Sequence, residues 1–405
     1  MRALYSITTL LALCTTATTT TLPNPSRSQQ QQQRPFNWLT TKSTGVNLGG
    51  WLVQEASLDT TFWETHAPNA PDEWTLCQTL GPAQCSAVLE HRYSTFITTA
   101  TIDALAAAGI SLLRIPTTYA AWVNLPGSGL YSGKQTVHLR RITEYAIRRY
   151  NMHIIIDVHS LPGGLNGLDI GEAVGHWGWF YNDTAWDHSM DVVDKVIEFI
   201  GASSRPTAFT FEVMNEPADR NKEDDLGMSV FGTPEAVSDS AAAYILRFWR
   251  AVLERVRMRE AEAEREGLRV GDIPVMFQSF KLPDYWKGNF SADENVVFDM
   301  HNYYFEGRNT TAENLPRYML SDAENKSGDG SIPVFVGEWA IQTAYNNSFA
   351  LRERNVKAGL AIWEQYTQGS AYWSARFEGN DTVNGEGTKK DYWSFGRFID
   401  LGYFD

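Results

Sequence analysis

Cysteine is scarce, with three in 405 residues. That is too few for a disulfide-knit scaffold, and no paired CxxC stands ready for zinc. No HExxH is present either, so His153, His159 and His301 do not read as a metal set, and no metal is expected. Positive charge is in deficit. There are 34 Lys and Arg against 48 Asp and Glu, a net charge of −14. Such a chain repels phosphate backbones and anionic bilayers, which argues against nucleic acid and membrane partners. Long hydrophobic runs are missing too. The one apolar stretch of note, 3–13, is too short to span a bilayer. The Gly-rich LPGGLNGLDIG after His159 lacks the Lys-Ser/Thr of a phosphate loop and reads as a loop shaping a cleft. These absences leave a soluble enzyme with a neutral substrate.

The short apolar stretch has the form of a secretory signal. Arg2 precedes it, small residues follow, and Thr15-Thr16-Ala17 offers a cleavage site, so 1–17 is expected to be a signal peptide on a secreted protein. Residues 18–35 hold a Thr run and then Gln29 to Gln33. They cannot bury a core and read as a disordered leader. No second linker of this kind follows. The Glu/Arg-rich stretch 254–269 reads as a solvated helix end, which leaves one domain over 36–405. Cys14 would leave with the signal. Cys77 and Cys85 remain as an even pair, a disulfide in an oxidising compartment or else two free thiols. Six Asn-x-Ser/Thr sequons, at Asn182, Asn289, Asn309, Asn325, Asn346 and Asn380, fit export.

Short apolar runs alternate with longer amphipathic ones. Strands are expected at 45–48, 111–116, 153–159, 208–215, 274–279, 296–301, 333–338 and 371–374. Helices are expected at 94–108, 136–150, 187–200, 238–258 and 349–368. Strand alternating with helix means parallel strands joined by crossovers. Eight such units predict an α/β fold, a single (β/α)8 TIM barrel, with an open doubly wound sheet as the rival.

The ends of these strands carry the chemistry: Arg114, His159, Asn215-Glu216, His301 with Tyr303, Glu338 and Trp373. In a barrel the active site lies at the C-terminal strand ends. Two facing carboxylates, one protonated and one ionised, are what glycosidic bond cleavage needs. Glu216 in EVMNEP and Glu338 in VFVGEW fit that need; either alone would be an ordinary surface carboxylate. Glu212 lies on the same strand as Glu216 and is a less certain candidate. Arg114 could hold a carboxylate ionised or form a structural salt bridge. His159 could hydrogen-bond a sugar or simply be a satisfied buried histidine. The chain has 14 Trp; Trp51, Trp177, Trp179, Trp286, Trp339, Trp373 and Trp393 fall in loops or strand ends, where rings could face sugars or fill core.

At these residues the chain resembles glycoside hydrolase family 5, and within it the fungal exo-β-1,3-glucanase branch. The resemblance rests on GVNLGGWLVQE at 45–55, LLRIP at 112–116, DVHSLPG at 157–163, MNEP at 214–217, DMHNYY at 299–304 and VGEW at 336–339. It implies a (β/α)8 barrel and a retaining double displacement on a carbohydrate, with no cofactor. It further implies Glu216 as acid/base, Glu338 as nucleophile and Asn215 on the sugar 2-hydroxyl. Arg114 and Tyr303 match partners of the nucleophile, His159 and His301 pocket hydrogen-bonders, Trp373 an aromatic platform, and Glu55 a carboxylate on the terminal glucose. The stretches 72–81 and 114–131 look more like the rutinosidase-type diglycosidases of the same family, which release a rhamnosyl-glucose disaccharide from flavonoid glycosides. Three readings therefore stand: a β-1,3-glucan exo-glucosidase, a diglycosidase, and a non-catalytic wall-binding barrel. A monomer is expected.

Overall fold

The computed structural model describes residues 36–220, 230–266 and 271–404; the expected signal peptide and leader lie outside the described residues. Eight strands close a barrel in sequence order, each parallel to its neighbours. They are β1 (Ser43–Asn47), β2 (Leu112–Thr117), β3 (His153–Val158), β4 (Phe209–Glu212), β5 (Val275–Gln278), β6 (Val296–Tyr304), β7 (Val334–Thr343) and β8 (Gly369–Tyr372). Every expected strand is present, with different bounds. β4 stops at Glu212 because the chain then turns sharply into Glu216. β6 and β7 run beyond residues 301 and 338 because they stay paired with each other past the barrel rim, as far as Tyr304 with Thr343.

The helices are α1 (Thr60–His66), α2 (Glu73–Leu80), α3 (Pro82–Thr95), α4 (Thr99–Ala107), α5 (Gln135–Tyr150), α6 (Asp183–Gly201), α7 (Asp239–Arg265), α8 (Leu315–Lys326), α9 (Arg352–Tyr366), α10 (Lys390–Trp393) and α11 (Phe395–Asp400). The expected helix over 94–108 is two pieces. Thr98 breaks it and caps α4, its hydroxyl and that of Thr101 forming a reciprocal capping box. Between β5 and β6 the described residues hold only 3₁₀ turns, at Pro283–Trp286 and Ala292–Glu294. Helix α8 was not expected from the sequence; Pro316 stands in its first turn, where proline is tolerated. Among the described residues no helix is long and apolar enough to cross a membrane. Cys77 in α2 and Cys85 in α3 form a disulfide that ties these two helices.

Alternation along the strands builds the barrel interior in layers. Leu112, Ile155, Met276, Val297, Phe335 and Ala371 form an apolar floor, closed from below by Trp38. The Trp38 indole donates to Thr210 Oγ1, which seats it in the N-terminal mouth. His153, at the start of β3, also bonds Thr210, and Phe36 stacks on its ring; burial pushes its pKa down to about 3. It is structural and lies at the opposite end from the other two histidines. Two residues further up each strand the interior turns polar: Asn47, Arg114, Asp157, Glu212, Gln278 and Asp299, all 2% exposed or less. Above that layer the cleft opens.

Candidate active site

Arg114 is the centre of the polar layer. Its guanidinium donates to both oxygens of Glu212 (2.6 and 3.1 Å), to Asn47 Oδ1 (3.0 Å), to Asn215 Oδ1 (2.9 Å) and to Glu338 Oε1 (2.7 Å). Asp157 stands 3.1 Å away. One fully buried cation therefore fixes groups from four different strands or their ends. Glu212, the less certain candidate of the sequence, is the lower brace of this arginine and does not line the cavity above.

Strict alternation would aim Glu338 out of the barrel, because Phe335 faces in. A β-bulge corrects this. β6 pairs Met300 with Val336 and His301 with Glu338, so Gly337 is an extra residue and Glu338 swings inward. Position 337 has to be glycine. A Cβ there would sit 2.1 Å from Asp299 Oδ2. In the cleft, Tyr303 donates its hydroxyl to Glu338 Oε2 (2.6 Å), and His301 Nδ1 is 3.5 Å from the same oxygen. Burial alone would raise the Glu338 pKa, but His301 and Arg114, with help from His159 and Tyr303, hold it below the ordinary range.

Glu216 follows β4 on a left-handed backbone, φ 48°, a conformation non-glycine residues avoid. The turn is held from two sides. Gln278 Oε1 accepts the Glu216 N–H (2.6 Å), and Asn166 Nδ2 donates to its carbonyl (3.0 Å). The Gly-rich loop after β3 thus supports the carboxylate as well as walling the cleft. Glu216 Oε1 meets His301 Nδ1 at 2.6 Å. Suitable carboxylate oxygens of Glu216 and Glu338 lie within 4.8 Å of each other. Such proximity fits the separation of about 5–5.5 Å in retaining glycosidases better than the roughly 6.5–9.5 Å that inverting ones need for a water.

His159 donates Nδ1–H to Asp157 (2.6 Å), which leaves Nε2 to accept from Asn215 Nδ2 (3.3 Å). Its ring stacks with Trp373 at 5.8 Å. Glu55, His159, Asn215, Glu216, His301, Tyr303, Glu338 and Trp373 all line one cavity of about 410 Å³. Arg114 sits beneath it. Glu55 Oε1 is buried with no protein partner. Burial, then Asp169, Glu338 and Glu216, push its pKa well up.

Asp169 itself was missed by the sequence reading, which took LNGLDIG only as wall; burial raises its pKa to about 6. Also missed were Phe231, Phe280 and Phe305, which line the outer cavity with Trp393. No period or motif marks such loop residues. Of the tryptophans, Trp373 and Trp393 face the cavity, whereas Trp51, Trp179, Trp286 and Trp339 are core and Trp177 is exposed. Of the six sequon asparagines, five are exposed and Asn289 is half-buried. Glu212, Asp299 and His301, or Glu216, His301 and Glu338, are close enough to hold a cation. Their donor atoms are already taken up with Arg114, Tyr303 and one another, so the set does not ask for one.

Comparison with known proteins identifies the family. A rutinosidase from Aspergillus niger is 56% identical over 91% of this chain and 99% of its own, with a TM-score of 0.86. AoRut is 57% identical over 91% and 98%, with a TM-score of 0.85. A probable glucan 1,3-beta-glucosidase A of Emericella nidulans is 30% identical over 74% of this chain and 67% of its own. The model of the cellulase family, glycosyl hydrolase family 5, matches residues 77–379. With that match over a closed barrel, the chain belongs to glycosyl hydrolase family 5 and is a glycoside hydrolase acting on carbohydrate.

Proposed function

We propose that the chain is a secreted, retaining β-glycosidase that releases a rhamnosyl-glucose disaccharide as one unit from an aromatic glycoside. The observation that carries the chemistry is the pair Glu216 and Glu338, close together in the lining of one cavity. Glu338, ionised by Arg114, His301 and Tyr303, attacks the anomeric carbon. Glu216 gives a proton to the departing oxygen. The C–O bond to the aglycone breaks as the glycosyl–Glu338 ester forms. Water, deprotonated by Glu216, then opens the ester, restoring both groups with the configuration retained. Asn215 is placed to bind the 2-hydroxyl, Glu55 the far hydroxyls and Trp373 the ring face.

Two features support the disaccharide reading. Identity to the rutinosidase is 56%, against 30% to the glucan 1,3-beta-glucosidase. The outer cavity is aromatic, with Phe231, Phe280, Phe305 and Trp393, as a flat aglycone requires. The glucan relatives keep exo-hydrolysis of β-1,3-glucan as the second reading. A wall-binding barrel without turnover is disfavoured, because both carboxylates and every supporting group are in place. In this reading residues 36–405 are the catalytic domain of a monomer. Hydrolysis of rutin against laminarin, with product analysis, tests the proposal. Rutinose from rutin is expected; glucose from laminarin alone would favour the second reading, and no sugar from either would sink both.

A further inference from the structure

Asp299 has no part in the double displacement as written, yet it touches both halves of the site. It is 2% exposed. Its Oδ1 accepts the backbone N–H of Gly337, the residue before Glu338. Its Oδ2 is 3.1 Å from His301 Nε2. The other nitrogen of His301, Nδ1, is 2.6 Å from Glu216 Oε1. The chain Gly337–Asp299–His301–Glu216 thus runs from the nucleophile's backbone to the acid/base carboxyl.

We propose that Asp299 is a positioning residue that fixes the Nε2–H form of His301, so that Nδ1 shares the proton that Glu216 delivers. This rests on Glu216 being the acid/base. A carboxylate with one oxygen held by an amide can only accept with the other. His301 must then carry a proton on Nε2, and Nδ1 is left to exchange a proton with Glu216. All the charged groups around His301 act on this proton: Asp299 on its own strand, Glu216 and Glu212 from β4 and its end, Glu338 from β7, and Arg114 from β2. Burial pushes the His301 pKa down, but Glu338 and Asp299 override it and hold it well above the usual value.

The test is Asp299→Asn. Gly337 N–H would keep the amide oxygen, so the new NH₂ would face Nε2 and force it to accept. His301 would then hold its proton on Nδ1 and donate to an ionised Glu216, which has no proton to give. The reasoning parallels the triad histidine left in its wrong tautomer by a neighbouring Asp→Asn change. Activity should fall on the order of 100-fold or more for phenyl β-rutinoside, whose leaving group needs the proton, and less than about 10-fold for 2,4-dinitrophenyl β-rutinoside, which does not. The alkaline limb of kcat/KM should move to lower pH, because an anion that held the proton is gone.

Equal losses on both substrates, or an unmoved limb, would overturn the proposal and leave Asp299 a structural brace. Glu216→Ala, run in parallel with azide, separates the two ideas. If it lacks leaving-group dependence, the acid/base reading itself falls. Should Asp299→Asn not fold, ¹⁵N-imidazole spectra of the wild type, assigned by His301→Gln, give the answer. Nε2 must stay protonated across the alkaline limb, and a bare Nε2 there refutes the proposal.

Discussion

Replacing Arg114 by Met asks how much the polar layer depends on one cation. The side chain is fully buried and makes five hydrogen bonds, to Glu212, Glu338, Asn47 and Asn215. Methionine fills much of the same volume, so cavity cost is small. What remains are the carboxyls of Glu212, Asp157 and Glu338 in a low-dielectric layer without their counterion. Removing one partner of a buried pair costs about 3–5 kcal/mol, and the low end already lowers the melting temperature by roughly 4 °C in a domain this large.

The loss should also depend on pH in a defined direction. Glu338 is held below its ordinary pKa, so its contribution exists above the unfolded value of about 4.3 and is lost as pH falls through the folded one. Without Arg114 much of that contribution goes. The gap between variant and wild type should therefore be widest near neutral pH and narrow on acidification. Urea unfolding followed by tryptophan fluorescence at several pH values reads both quantities. A variant within about 1 kcal/mol of wild type at pH 7, or a gap that widens in acid, would refute the reasoning.

Glu338→Gln should abolish turnover while leaving the melting temperature near that of wild type, since Arg114 keeps Glu212 and Asp157; retained hydrolysis would remove Glu338 as nucleophile. Glu216→Ala with azide should yield a β-glycosyl azide, recognised by its anomeric proton coupling in NMR, and an α-azide would contradict retention. Glu73 is buried, and burial raises its pKa to about 8, with one oxygen on the Gln54 N–H. A raised carboxyl favours the folded state when protonated, so wild-type stability should decline as pH rises through about 8 and Glu73→Gln should flatten that decline in a pH series of melting curves. Endoglycosidase treatment of protein expressed through a secretory pathway should remove mass from the exposed sequons, Asn289 being the least readily modified of the six.

The barrel was legible because short, largely apolar runs, with polar or aromatic residues at or just past their ends, alternate with amphipathic helices. The proposed catalytic pair stood out through motifs at those stops. Four things were not legible. The bulge at Gly337 was hidden, because a glycine before a carboxylate gives no sign that alternation breaks there. The split at Thr98 was hidden in a run that reads as one helix, since a capping threonine looks like any other. Asp169 and the aromatic rim belong to loops, whose placement depends on contacts distant in sequence. Asp299 was quoted inside a motif and passed over; only the three-dimensional link from Gly337 to His301 gives it a task.

Trp38 has a kinetic consequence. With its indole stoppering the lower mouth beneath a floor of packed apolar side chains, the barrel is a blind well. Glycoside, aglycone, water and free sugar must all pass through one opening, in turn. The hydrolytic water can approach the ester only from the side the aglycone has left. A slow-leaving aglycone therefore delays its own successor, and a nucleophile small enough to slip in first, an alcohol for instance, competes with water for the same captive sugar.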